Sequence, residues 1–210
     1  MLKLYASPGA CSLASHIVLE EAGLPYALQV VDARAGETRT EAYARINPLQ
    51  RVPTLDTGEG VLTETVAILT WLAERASPRL LPEPGGLEHA RAHEWMALLS
   101  ATLHPSFRMV FRAERFARTP EGVEEVRGAA LETLLDLLQM IDGRLAGQTF
   151  ALGRDYSVCD PYLFVFYTWT RRAPVAPVCP PLLNWEAHAR RVYDRSAVRR
   201  AMEQEGLSPL

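Results

Sequence analysis

The sequence has no excess of positive charge: 22 basic residues stand against 25 acidic ones, a formal net charge of -3 over 210 residues. That balance cannot neutralise a phosphate backbone, so nucleic acid is excluded as the main partner. Long apolar runs are missing as well. The longest, Pro161 to Trp169 (PYLFVFYTW), is too short to cross a bilayer. Lys3 is not followed by an apolar core and a small-residue cleavage site, so a soluble, cytoplasmic protein is expected. Cysteine is scarce. Cys11, Cys159 and Cys179 are odd in number and far apart, which is no disulfide framework. Internal repeats and low-complexity tracts are absent, and the length has room for one large domain or two small ones.

The patterning changes part of the way along. Leu2 to Ala6 reads as a short strand ended by Ser7-Pro8-Gly9. A helix is predicted from about Cys11 to Ala22, with Gly23 as its C-terminal stop. Tyr26 to Val31 reads as a second strand, which completes a β-α-β unit. Val52-Pro53-Thr54-Leu55 and Gly60-Val61-Leu62 flank a turn and predict a hairpin. A helix from Glu64 to about Arg75 has apolar residues all around its axis, so burial on two sides is expected. The stretch SPRLLPEPGG at 77–86 then breaks the pattern. Beyond it no strand is convincing. Val123, Val126, Ala130, Leu134, Leu137, Ile141 and Leu145 form one helical stripe, and Trp95, Leu98, Leu99 and Thr102 another. Ser157-Val158-Cys159-Asp160 reads as a capping box opening a further helix. The expected architecture is an α/β domain over residues 1–77, a linker at 78–87 and an all-helical domain over 88–210.

Four features could carry chemistry. Pro8-Gly9-Ala10-Cys11-Ser12 puts a cysteine where a strand hands over to a helix. Unpaired first-turn amides and the helix dipole there favour a thiolate, and the alternative is a small apolar residue packed under a loop. Ala14 stands where a two-cysteine redox motif would need its partner, so disulfide chemistry would have to use an external thiol. Ser7 and Ser12 are competing nucleophiles but lack an evident base. Second, Arg51-Val52-Pro53-Thr54 offers backbone that an extended peptide could pair with, although an ordinary edge-strand proline is the favoured reading of these residues alone. Third, Thr63-Glu64-Thr65-Val66 reads as an N-cap followed by an anion site. Glu64 beside those donors suits a zwitterionic amino-acid head, although a well-capped helix with an acid in its first turn is the commoner source of such a pattern. Fourth, Ala97, Ala101, His104 and Arg108 share the face opposite Trp95 and Leu99. That leaves His104 to solvent or to a ligand, domain or subunit.

Other candidates are weaker. His89 and His93 are spaced i, i+4 but lack a third ligand, so no metal is expected. Cys159 and Cys179 read as structural. Arg171-Arg172 and Arg199-Arg200 read as solvated surface charge.

In combination and order these segments resemble the glutathione S-transferases. PGACSLASHIVLEE at 8–21, NPLQRVPTL at 47–55 and LTETVAIL at 62–69 are similar to the bacterial beta class. EWMALLSATLHPSF at 94–107 and SVCDPYLF at 157–164 carry the resemblance into the second half. It implies a thioredoxin-like N-terminal domain (βαβ-ββα, mixed four-stranded sheet) that binds glutathione as co-substrate. A helical domain then supplies a hydrophobic co-substrate pocket, and the protein is a homodimer. Cys11 matches the cysteine beside the glutathione sulfur, Val52 the residue whose backbone pairs with the tripeptide, and Pro53 the cis-proline. Glu64 and Thr65 match the pair holding the γ-glutamyl head. His104 matches a histidine that approaches the sulfur from the helical domain.

The pattern departs from the class at a few positions. Ala6 stands where the class has a tyrosine, and Tyr5 should face away from the site. Ala97 and Pro105 replace an asparagine and a lysine, and a basic residue after the second strand is matched only by Arg34, with Gly36 nearer the aligned position. The expected activity is conjugation of the glutathione thiolate to hydrophobic electrophiles, with disulfide reduction through an ionised Cys11 alongside. Pocket walls are expected from Phe107, Arg108, Phe111, Tyr162, Phe166 and Trp169. The alternatives are a non-catalytic adapter on the same fold and a glutathione-dependent isomerase.

Overall fold

The computed structural model describes residues 1–210. Strand β1 (Leu2–Ala6) pairs in parallel with β2 (Tyr26–Val30), with α1 (Ser12–Ala22) as the crossover between them. Gly23 ends α1 in the left-handed conformation, φ 62°. Strands β3 (Thr54–Asp56) and β4 (Val61–Thr63) form the hairpin, and β3 runs antiparallel to β1. The sheet order is β2-β1-β3-β4, and α3 (Thr65–Ala73) comes directly after β4. A short helix, α2 (Glu41–Ile46), occupies the polar stretch between β2 and β3, where the sequence pattern predicts no element. It is capped by Thr40, whose hydroxyl accepts from the Tyr43 amide. Tyr5 packs edge-on against Tyr43 under this helix, facing away from the α1 side of the sheet as strand alternation requires.

The second half contains no strand. Helices α4 (Leu87–Ala97), α5 (His104–Phe111), α6 (Pro120–Arg144), α7 (Cys159–Thr170), α8 (Leu183–Tyr193) and α9 (Ser196–Gln204) build it. None is long and apolar enough to cross a membrane. Between α4 and α5 the backbone widens into a π-helical turn over Leu98–Leu103. Pro105 lies just beyond it and has no N–H to return to the preceding turn, so the regular hydrogen-bond ladder cannot run through this point. The wider turn shifts side chains around the helix axis. Thr102, expected on the buried face, is exposed. On α6, a separate helix, Leu138 rather than Leu137 is the fully buried member of the stripe.

The two halves share one apolar core of 46 buried residues, so the chain is not two bodies on a tether. Helix α1 is the common element: it packs against α3 on one side and against α7 and α9 on the other. The segment after α3 is anchored too, with Leu80 and Leu81 buried and the Leu80 carbonyl accepting from the Val158 amide at 3.0 Å. Helix α3 is less enclosed than its composition implies. Ile68, Leu69 and Leu72 are buried, but Trp71 is half-exposed and covered by the Arg75 guanidinium at 3.7 Å.

Helix α7 is the centre of the second half, and the capping box at its start is formed. The Ser157 amide donates to Asp160 at 2.7 Å, and the Ser157 hydroxyl accepts from the Cys159 amide at 3.3 Å. Asp160 is completely buried and also accepts from the Ala151 amide at 2.7 Å and from His188 Nε2 at 2.8 Å. Removing this carboxylate strands four buried donors, the Ser157 hydroxyl at 3.2 Å being the fourth, and each stranded buried donor carries a full desolvation penalty. Asp160→Ala is therefore expected to lower the unfolding free energy by about 3 kcal/mol or more. The shift of the urea midpoint at unchanged slope measures it.

Candidate functional site

The turn between β1 and α1 is built by short-range and very long-range bonds together. Ser7 and Ser12 close it locally: the Ser7 amide donates to Ser12 Oγ at 3.1 Å, and that hydroxyl donates back to the Ser7 carbonyl at 3.3 Å. Ser7 Oγ accepts from the Ala33 amide. Both serines are thus committed to structure, and neither is free to act as a nucleophile. Gly9, at φ 64°, is gripped from the other end of the chain. Its carbonyl accepts from Trp169 Nε1 and from Arg172, each at 2.9 Å, and its amide donates to Glu205 at 2.8 Å. A Cβ at Gly9 would come within 2.7 Å of the Arg172 guanidinium. Glu205 is fixed in turn by buried His16, whose Nδ1 lies 2.9 Å away.

Cys11 comes next after this turn and is 7% exposed. Its thiol donates to the Val52 carbonyl at 3.3 Å. Burial pushes the Cys11 pKa up to about 11, outweighing the Thr65 hydroxyl and the amides of Cys11 and Ser12, which pull it down. The thiolate expected from the helix start is therefore not what the fold produces. The amides are present, but desolvation of the sulfur is the larger effect.

Opposite Cys11, the Val52–Pro53 peptide bond is cis. The segment before it is pinned from α2 and the loop after that helix. Tyr43 Oη and Asn47 Nδ2 each donate to the Arg51 carbonyl at 2.8 Å, and Asn47 also donates to Thr54 Oγ1. The Val52 amide has no partner within the chain, so a strand-like edge faces the cavity.

Glu64 takes φ 66°, ψ 124°, a left-handed backbone at a non-glycine residue between β4 and α3. Such conformations cost about 1–3 kcal/mol and cluster at ligand sites. Here Glu64, and not Thr63, occupies the cap position, and no side chain caps α3. Thr63 belongs to β4 instead, because its pairing with Thr54 extends the hairpin by one residue. The first-turn amides of α3 are left to an external acceptor.

From the second half come His104 and Tyr162. The His104 ring packs edge-on against Phe166 and Trp169, with centroids 5.6 and 5.2 Å away. Burial, with Arg108 and Arg51 adding positive charge nearby, holds its pKa down at about 4. The imidazole is therefore neutral at physiological pH. Tyr162 is fully buried, and its hydroxyl neighbours Thr65 and Cys11. Burial raises its pKa well above the ordinary value, which keeps the phenol protonated.

All these groups border one cleft of about 630 Å³. Cys11, Val52, Pro53, Glu64, Thr65 and His104 line it together, although they come from four separate segments of the sequence. Of the expected pocket walls, only Arg108 and Tyr162 line it. Phe107, Phe166 and Trp169 are buried behind His104, in ring contacts of 5.0 to 5.8 Å, and Phe111 borders a separate shallow depression. Mutual packing turned these aromatics into the core. Arg34 does not reach the cleft and Gly36 has no side chain to offer, whereas Arg39 does reach it. Arg51, Arg112 and Arg115 also line it, and the sequence pattern did not mark them out. The spacing of Arg108, Arg112 and Arg115 (i, i+4, i+7) was the available signal, because it marks one helical face.

A thioredoxin-like sheet joined to a helical bundle, with a thiol and a cis-proline meeting at the seam, defines a class of protein with a peptide-thiol cleft. The N-terminal domain family of glutathione S-transferases matches residues 1–74. A Xanthomonas campestris glutathione S-transferase, GST-4.5, is 33% identical over 99% of this chain and its own full length. Two solved structures cover nearly all of both chains. A glutathione transferase homologue from Sulfitobacter with bound glutathione has a TM-score of 0.87 at 31% identity, covering 99% of each chain. The beta-class glutathione S-transferase of Sphingomonas chungbukensis has a TM-score of 0.84 at 32% identity, covering 98% of this chain and 100% of its own. The chain belongs to the glutathione S-transferase family.

The sulfur chemistry is directly measurable. The difference in ultraviolet thiolate absorbance between the protein and Cys11→Ala should titrate near pH 11. Because the folded thiol holds its proton more tightly than the unfolded one, its contribution to stability is lost as pH rises from 9.0 towards 11. A midpoint below that of free cysteine, about 8.5, would contradict the burial argument.

Proposed function

We propose that the protein is a glutathione transferase, joining the sulfur of glutathione to an electrophilic carbon. The observation that carries this reading is the convergence of Cys11, Val52, Glu64, Thr65 and His104 on one cleft. Glutathione lies extended, its cysteinyl backbone pairing with the free amide of Val52. The γ-glutamyl ammonium meets Glu64, and its carboxylate meets Thr65 and the first amides of α3. Its sulfur then comes to rest beside Cys11. Residues 1–77 hold the tripeptide, residues 88–210 present the electrophile, and 78–87 connect them.

In this arrangement Cys11 acts as a thiol. With a pKa of about 11 it is protonated at neutral pH, so on binding it gives up its bond to the Val52 carbonyl and donates instead to the thiolate of glutathione, stabilising it. Tyr162 is a second protonated neighbour, and neutral His104 closes the cavity without opposing proton release. The glutathione thiolate forms the new carbon–sulfur bond while the leaving group departs with its electron pair. Conjugation is favoured over disulfide exchange through Cys11, because exchange needs the attacking sulfur ionised. An adapter has no use for a complete cleft. An isomerase centred on a serine lacks one here, since Ser7 and Ser12 bond to each other. The proposal includes a cytoplasmic homodimer, which sedimentation velocity tests.

Calorimetric titration with glutathione should show saturable binding, and absence of heat at millimolar ligand would sink the reading. Glu64→Gln and Thr65→Ala should each weaken binding about tenfold, the worth of one charge-assisted hydrogen bond. Cys11→Ala should lower kcat for conjugation, while disulfide reduction stays at background in both forms.

A further inference from the structure

The cleft is cationic where a hydrophobic co-substrate surface was expected. Arg39, Arg51, Arg108, Arg112 and Arg115 line the cavity, against a single carboxylate, Glu64. None of the five forms an ion pair within the chain. Elsewhere the protein pairs its arginines readily: Arg45, Arg79, Arg91, Arg127, Arg144, Arg190, Arg195 and Arg200 each meet a glutamate. Glu114 stands between Arg112 and Arg115 in the chain and pairs with neither. Burial disfavours the charge on Arg108, and the nearby positive charges of Arg51 and Arg115 add to that effect. Neighbouring, unpaired cations repel one another, and an anion placed among them relieves that cost.

Glutathione does not account for all five. It brings two carboxylates and a reacting thiolate, and its ammonium is matched by Glu64. The head carboxylate belongs to Thr65 and the start of α3, on the sheet side. The glycyl carboxylate has Arg39 and Arg51, which also come from the first half of the chain. Arg108 and Arg112 lie on α5 and its end, and Arg115 closes the 3-10 turn at Ala113–Arg115. These three line the cleft from the helical half, the side left to the second substrate. Met109 and Phe116 stand among them as apolar surface, with the Arg108 guanidinium 5.8 Å from the Phe116 ring centroid.

Building on the transferase reading, we propose that the electrophile is an anion: a compact molecule with a carboxylate held by Arg108, Arg112 and Arg115 and an apolar body on Met109 and Phe116. The planar forks of arginine match a carboxylate with two parallel bonds. The sulfur of glutathione attacks the carbon bearing the leaving group, and the carboxylate takes no part in bond making. It orients the molecule and selects it over neutral analogues.

Two glutathione conjugates that differ at one group test this without relying on turnover. One is S-(4-carboxy-2-nitrophenyl)glutathione and the other its methyl ester, titrated calorimetrically alongside glutathione itself. The acid should bind at least tenfold more tightly than the ester, and the ratio should shrink as salt is raised. In an Arg112→Gln/Arg115→Gln variant the ratio should fall towards one. The exposed single variant Arg115→Gln gives an intermediate ratio if the double variant folds poorly. Equal affinities for acid and ester in the unaltered protein overturn the proposal, as does a ratio that survives both substitutions. Failure of glutathione to bind overturns the transferase reading instead, so the two are separately exposed.

Discussion

The grip of the helical half on Gly9 is the constraint on which the site depends. Trp169, Arg172 and Glu205 hold the carbonyl and amide of one residue in the turn that leads into Cys11. A turn of this kind, left to itself, would be mobile and wet. Held from α7 and from the end of α9, it is rigid, and the sulfur behind it is dry. The same contacts bring α1 into a core shared by both halves. Positioning of the cysteine and cohesion of the protein are thus one feature, and loss of the C-terminal helix would disturb the cleft without touching any residue that lines it.

Electrostatics in the cleft stem from this burial. Excluding water keeps the Cys11 thiol and the Tyr162 phenol protonated, and keeps His104 neutral. The neutral groups near the sulfur are hydrogen-bond donors or closely packed rings, while the net charge of the walls is positive and carried by arginine. A reacting thiolate therefore meets protonated groups held out of water and a positive field that favours its formation. The left-handed backbone at Glu64 belongs to the same design, since it turns the chain into α3, whose first turn has no side-chain cap, at a cost in local strain.

Much of the fold was legible in order along the chain. The β-α-β unit, the hairpin and the α7 capping box each have a local signature: alternation, a glycine stop, or a hydroxyl three residues before an acid. Helix α2 had no such signature, because only Tyr43 of its six residues is buried and its purpose is to hold the Arg51 carbonyl. The face assignments before Pro105 failed at Thr102 because a π turn adds a residue that a 3.6-residue period cannot anticipate. The pocket walls failed for a related reason, since Phe107, Phe166 and Trp169 satisfied one another instead of a ligand.

Sequence alone determined which residue types stand at the helix start, before the cis-proline and at the entrance to α3, and the family that their order defines. Those are local chemistries, set by neighbours in the chain. The tertiary structure decided the ionisation of Cys11, the neutrality of His104 and the gathering of five arginines around one cleft. Each depends on burial or on charges contributed by distant segments, and solvation is a property of the packed molecule that no stretch of chain carries by itself.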